Sequence, residues 1–290
     1  MNKLKVVNNS KTFPDDPIFN LGFEDCYTNN DQVVLHLDCH YPQTPNPENL
    51  HYLLDLELPN RWMTEEGYRL GLRNEERYSK IFCIDPFFTE HRNNQLGYKK
   101  YQTVFFPFDD KNIVYSDSKE YDVFYSGHIK ADMLDIKDAI NKFNGIIVAN
   151  NGGISASYKQ KLLLNSKAKI SVVHNYLDMG LRGKEKDLFE SLNCTRIVNN
   201  SLTQHKARVI EAAMLGSFML CKKDEFNIVE DLFIPNEHFI YFSNKSELEE
   251  LIQHILSNFE KYNNLAKQTA EYAKSRYTTQ HFVNRFINNE

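Results

Sequence analysis

The sequence predicts an α/β chain of two doubly wound domains, each a parallel sheet wrapped by helices. Three observations carry this reading. Short apolar runs of strand length alternate with amphipathic helical stretches along most of the chain. The alternation pauses over Asp109–Lys119, which is polar and charged apart from Ile113-Val114-Tyr115, and restarts cleanly at Tyr121. Leu202–Leu220 then reads as a capped helix, stopped by Gly216 and followed at once by the apolar strand Phe218–Leu220. The pause divides the chain into residues 1–112 and 113–290.

Taken in order, residues 1–30 show little pattern beyond the turn cluster Phe13-Pro-Asp-Asp-Pro. Gln32–Leu37 is the first convincing strand, Tyr52–Leu58 the second, Ile81–Ile84 the third and Val104–Phe108 the fourth, with Pro107 marking an edge. Thr64–Arg77 is helical with Thr64 as its cap, and Thr89–Gln95 belongs to a second helix. In the second domain, strands are expected at Tyr121–Tyr125, Ile146–Val148, Lys169–Val173 and Arg196–Val198. Helices are expected at Ala131–Phe143, Ser155–Leu164 and Lys184–Leu192. In Leu202–Leu220, Ser201 or Thr203 caps the helix, and Ala207, Ile210, Ala213 and Met214 form its inward face. Two amphipathic helices, Ser246–Asn258 and Lys261–Ser275, close the pattern, and the tail beyond them is expected to cross back onto the first domain.

Composition bounds the function. The chain has 290 residues, 41% hydrophobic and 25% charged, with a formal charge of -5. These values fit a globular protein and argue against a nucleic-acid or anionic-membrane footprint. No apolar run approaches the roughly 20 residues of a spanning helix, and the N-terminus lacks the apolar core of a signal peptide. Five widely spaced cysteines read as reduced packing residues, so a cytoplasmic location is expected.

The chemistry concentrates in the Leu202–Leu220 helix. Lys206 and Arg208 lie beside its N-terminus, where free amides and the helix dipole suit a phosphate, and Glu211 can accept hydrogen bonds from ribose hydroxyls. Arg208, Glu211 and Gly216 also stand as Arg-x-x-Glu-x-x-x-x-Gly before the apolar strand. The segment Phe239-Ile-Tyr-Phe-Ser-Asn-Lys-Ser-Glu-Leu and the stretch Tyr262–Phe286 follow. With these residues the chain resembles glycosyltransferases of the two-Rossmann-domain architecture called GT-B, in particular the group-1-like branch that includes spore-maturation-type proteins. The larger group-1 enzymes carry a further Glu two helical turns upstream, where this chain has Thr203. The resemblance implies two Rossmann-like domains facing a cleft, with a nucleotide sugar bound by the C-terminal domain and Glu211 in the donor site.

Other donor-binding candidates lie where ligands gather, at the carboxyl ends of strands. Gly127 and His128 follow the first strand of the second domain, and the same glycine equally suits a simple turn. His174 and Asn175 end the Lys169–Val173 strand, where GT-B enzymes place the base, although His174 equally suits a structural hydrogen bond. Thr203 completes the donor set. On the acceptor side a general base must reach the attacking hydroxyl, and Glu57 and Asp38 are the catalytic candidates, ahead of His40, Asp85 and Glu90-His91-Arg92. His36 and Cys39 fall on opposite faces of a strand, which argues against zinc. The absence of Asp-x-Asp removes support for a metal-dependent architecture. The expectation is a metal-independent, cofactor-free transfer from a nucleotide sugar to a hydroxyl of a glycan, lipid-linked saccharide or protein. The alternative is a non-catalytic relative that binds a nucleotide or glycan as an interaction subunit.

Overall fold

The computed structural model describes residues 1–8, 21–37, 48–56, 64–116, 118–127, 129, 133–149, 153–178 and 201–289. Along the chain run β1 (Asn2–Lys3), β2 (Lys5–Asn8), β3 (Tyr27–Thr28), β4 (Val33–Leu37), β5 (Leu50–Asp55), α1 (Glu65–Arg77), β6 (Lys80–Cys83), α2 (Pro86–Leu96) and β7 (Tyr101–Thr103). Next come β8 (Tyr121–Ser126), α3 (Leu134–Asn141), β9 (Gly145–Val148), α4 (Tyr158–Ser166), β10 (Ala168–Val173), β11 (Tyr176–Asp178) and β12 (Ser201–Thr203). The chain ends with α5 (Ala207–Met214), β13 (Phe218–Lys222), β14 (Phe239–Phe242), α6 (Lys245–Ser257), α7 (Phe259–Lys274), α8 (Thr279–Phe282) and a π-helical turn at Val283–Ile287.

These elements group into two units. The first holds Met1–Pro107 with Tyr176–His205 and Thr279–Glu290; the second holds Phe108–Asn175 with Lys206–Thr278. The opening segment of the first unit ends at Pro107, just before the polar stretch Asp109–Lys119. The expected continuous division at 112/113 differs in two respects: the break falls at Pro107, and two later segments group with the first unit, among them the closing residues expected to cross back.

The first unit is built on a five-stranded sheet in the order β2-β4-β5-β6-β7, parallel throughout. All five residues of β4 are buried, as a parallel sheet covered on both faces requires. Thr64 Oγ1 accepts from the Gly67 amide at 3.1 Å and starts α1 as expected. Asp85 does the same for α2, accepting from Phe88 N at 2.8 Å, with Pro86 in the first turn and Gly97 left-handed at the end. On one sheet face, Leu53, Ile81 and Cys83 pack with Tyr78, Phe88 and Tyr101. An aromatic cluster joins Phe82 and Phe105 to Phe282 and Phe286 of the closing segment, with Phe23 against Phe282.

The second unit is a parallel sheet in the order β14-β13-β10-β8-β9. Val123, Ile170, Val172, Phe218 and Leu220 of its strands meet Ile136 and Ile140 of α3, Leu248 and Ile252 of α6 and Tyr262 of α7 in one buried core.

Three sequence expectations are corrected. The fourth strand is Tyr101–Thr103; of the apolar run Val104–Phe108, only Val104 N extends the ladder, to Cys83 O at 2.9 Å, and Phe108 makes an isolated bridge to Thr278. The run is buried without being strand, because burial and not pairing is what its side chains report. β2 was not foreseen in the polar N-terminus. The key helix also begins later than its sequence suggests, since Ser201–Thr203 pairs antiparallel with Tyr176–Asp178 and α5 opens at Ala207. Neither Ser201 nor Thr203 caps it. The helix expected at Lys184–Leu192 and the strand at Arg196–Val198 lie outside the described residues.

Candidate functional site

Strand order in the second sheet reverses at β8. From there the chain moves outward to β9, returns to β10 on the other side of β8, and continues to β13 and β14. Doubly wound sheets bind ligands at the carboxyl ends of the strands flanking such a reversal. Two loops meet there: Ser126-Gly127 after β8 and His174-Asn175 after β10.

Arg208, in the first turn of α5, reaches into this place. Its Nη1 lies 3.0 Å from both ring nitrogens of His174. Equal approach to both places the guanidinium over the ring rather than along one in-plane lone pair. The guanidinium carbon is 6.0 Å from the centroid of the Tyr125 ring, a cation–π distance, and Tyr125 in turn stacks on His174 at 5.9 Å and 18°. The Tyr125 hydroxyl is 3.3 Å from His174 Nδ1 and 3.5 Å from Met133 Sδ. Tyr125 and His174 are buried while Arg208 is partly exposed, so the two rings form a fixed seat and the cation faces outward from it.

Gly127 makes the close approach feasible. Its φ is +139°, and a Cβ there would stand 2.7 Å from Arg208 Nη1 and 2.9 Å from Nη2. Both the backbone conformation and the guanidinium exclude a side chain. The α5 N-terminus has Lys206 at the cap position without a side-chain cap, and the Val209 amide of its first turn donates to the Lys206 carbonyl at 3.2 Å. Asn175 is 1% exposed, and neither polar atom of its amide has a hydrogen-bond partner. An orphaned buried amide at a strand-end loop is an unmet demand for a donor and an acceptor.

Glu211 lies one turn into α5 and is 2% exposed. Its Oε1 accepts from Lys161 Nζ of α4 at 2.7 Å, and the Tyr158 hydroxyl also hydrogen-bonds to it. Burial, then the Glu211 charge, pushes the Tyr158 phenol well above its ordinary pKa, which keeps it a donor. The Lys161 ammonium sits 4.6 Å over the Tyr158 ring. Glu211 is thus held by a cation and a phenol drawn from the neighbouring helix.

The structure therefore brings Arg208, Gly127, His174 and Asn175 together, with Lys206 opening the same helix. Tyr125, Tyr158 and Lys161 complete the arrangement and were missed in the sequence. Tyr125 carried a signal, as the aromatic residue just before the strand-end Ser-Gly. Thr203 is buried in β12, among residues that group with the first unit. Asp38, Glu57 and His128 lie outside the described residues, as does His40. Asp85 is engaged as the α2 cap, and Arg92 is buried in a two-pronged pair with Glu75 at 2.8 and 2.7 Å, so both act as parts of the framework. Among the described residues, no three His, Cys, Asp or Glu side chains gather as metal ligands.

Residues 162–288 match the family described as glycosyl transferase-like. The solved structures agree in fold. A TarM variant from S. aureus, solved with fondaparinux, alpha-GlcNAc-glycerol and UDP, superposes with a TM-score of 0.56 at 10% identity, covering 88% of this chain and 55% of that one. By fold this is a GT-B chain. HepE from Anabaena, solved with UDP and glucose, gives 0.55 at 10% identity over 89% of the GT-B chain and 78% of its own. Sucrose-phosphate synthase from Thermosynechococcus elongatus gives 0.52 at 9% identity over 89% and 73%. The GT-B chain spans about half the length of the TarM proteins it resembles. No curated protein matches the sequence. No described helix is long and apolar enough to cross a membrane.

Proposed function

We propose that this protein is a glycosyltransferase that moves a sugar from a nucleotide-sugar donor to a hydroxyl acceptor without a metal ion. The observation that carries the proposal is the Arg208 guanidinium seated on Tyr125 and His174 against Gly127, at the sheet reversal and beside an uncapped helix N-terminus. Arg208 and Lys206 neutralise the diphosphate, Glu211 takes the ribose hydroxyls, and the orphaned amide of Asn175 meets a nucleobase edge beside His174. Two solved relatives by fold were crystallised with UDP, which makes a UDP-sugar the first donor to test.

In the transfer, the acceptor oxygen bonds to the anomeric carbon as the bond from that carbon to the diphosphate breaks. The leaving diphosphate keeps the electron pair, and positive charge at Arg208, Lys206 and the α5 amides stabilises it. The acceptor proton goes to a base of the first unit, for which Glu57 and Asp38 remain the candidates. The acceptor is a hydroxyl of a glycan, a lipid-linked saccharide or a protein.

A thermal-shift screen of UDP-, GDP-, ADP- and dTDP-sugars tests the donor site. At about 100 times its dissociation constant the true donor stabilises the fold by roughly 2.7 kcal/mol. Arg208→Ala is expected to abolish that shift. A shift from no nucleotide sugar, or one unchanged in the variant, overturns the assignment. Donor binding without transfer to any hydroxyl acceptor favours the non-catalytic reading, which Thr203 in place of an upstream Glu also fits.

A further inference from the structure

A pocket lies at the opposite end of the same sheet from His174 and Gly127. It has a volume of about 480 Å³, and Lys119, Lys169 and Lys267 line it together with Tyr115, Phe259 and Asn263. Its position follows from the chain order: Lys119 precedes β8, Lys169 opens β10 and Gly216 precedes β13, so the pocket is at the amino ends of strands whose carboxyl ends carry His174 and Gly127. We propose that this pocket is a separate anion site that takes the phosphoryl group of a small phosphorylated ring compound.

The charges on its walls are unbalanced. Lys169 pairs with Asp122 at 2.7 Å. The one carboxylate on the lining, Glu271, is taken by Lys274 at 2.6 Å. Lys119 donates to the carbonyls of Ser166 at 2.8 Å and Gly216 at 2.9 Å, which end α4 and α5. That role explains Lys119 alone, as a cation completing two helix termini. It leaves Lys267 of α7, an exposed residue on the same lining, without a structural role. Among the described residues Lys267 has no ion pair or hydrogen bond, and burial with the nearby Lys267 charge lowers the Lys119 pKa to about 8. With Lys119 and Lys267 on one lining, an anion in the pocket has two cations to meet. The ring walls set the rest of the guest: Tyr115 is 52% exposed, Phe259 lies beneath Lys169 at 5.5 Å, and the volume is that of a small-molecule site.

The test uses the full chain carrying Arg208→Ala, which removes one of the two phosphate-binding cations proposed for the donor site. Inorganic phosphate and glucose 6-phosphate are titrated by calorimetry, and lysine acetylation is mapped by mass spectrometry with and without each. The expected result is binding by both probes, tighter for the sugar phosphate, with Lys119 and Lys267 protected from acetylation. Adding Lys267→Gln is expected to weaken binding roughly tenfold, the loss of one charge-assisted hydrogen bond. Lys267 sits on a helix surface, so this variant keeps the fold; Lys119→Met, which loses two carbonyl contacts, serves as the second variant. Protection by chloride at equal ionic strength, or phosphate affinity unchanged in Lys267→Gln, overturns the proposal. Neither result bears on nucleotide-sugar binding, which the thermal-shift screen decides.

Discussion

Removing the Lys161 ammonium leaves Glu211 charged, buried and short of its counterion. Truncating one partner of a buried ion pair typically costs about 3 kcal/mol, and Lys161 itself is only 17% exposed. Lys161→Met is therefore expected to lower the unfolding free energy by about that amount, read as a lower urea midpoint, with Lys161→Arg restoring most of it; an unchanged midpoint would mean that Glu211 finds water instead. His36 makes a prediction of the opposite kind. Burial first, then the His51 charge, lowers its pKa to about 4, and its Nε2 lies 2.8 Å from His51 Nδ1. The unfolded chain, with a His pKa near 6.5, binds the extra proton first. Stability is thus present above pH ~6.5 and is lost as pH falls towards 4, by on the order of 3 kcal/mol. His36→Phe should flatten that slope in urea titrations between pH 7.5 and 4.5. It should not erase it, because burial also lowers His91 and His238. At this scale the sequence pointed to Arg208, Glu211, Gly127 and His174 as candidates, because charge beside a helix start and glycine after a strand are local signals. It hid Lys161 and Tyr125, whose roles depend on which strands and helices become neighbours.

Helix α5 isolates the cost of a backbone turn. Gly216 follows it at φ +68°, with nothing within 4 Å of where a Cβ would stand. Gly216→Ala is therefore expected to cost about 1 kcal/mol from left-handed backbone strain alone, read as a lower urea midpoint with an unchanged slope. Gly127→Ala adds a contact to the strain, since its new methyl meets the Arg208 guanidinium, and should also weaken donor binding. The elements most legible in the sequence were those with a cap and a stop, such as Thr64 for α1 and Gly216 for α5. The misplaced start of α5 has a physical reason: Ser201 and Thr203 are good caps by type, yet pairing with Tyr176–Asp178 commits them to a ladder. Local preference yields when a backbone partner from elsewhere in the chain is present.

Across the whole molecule, two parallel sheets were legible as a restart of alternation at Tyr121, after the polar stretch Asp109–Lys119. That the first unit draws in distant segments was expected for the tail from family resemblance and was invisible in local pattern for Tyr176–His205. Phe282 is fully buried, with Phe23, Phe82, Phe105 and Phe286 around it. Phe282→Ala is expected to cost about 3–5 kcal/mol. Limited proteolysis should then open sites within residues 1–107 first; cleavage confined to the second unit would contradict the assignment of the closing segment. The same aromatic cluster has a consequence during biosynthesis. The unit that leaves the ribosome first is the last to be finished, since its core waits for residues that follow the entire second unit. At roughly 5–20 residues per second, the 171 residues from Phe108 to Thr278 impose a delay on the order of 10–35 seconds. During that interval Phe82 and Phe105 lack the cover of Phe282 and Phe286, so the nascent first unit keeps apolar surface open until the closing segment arrives.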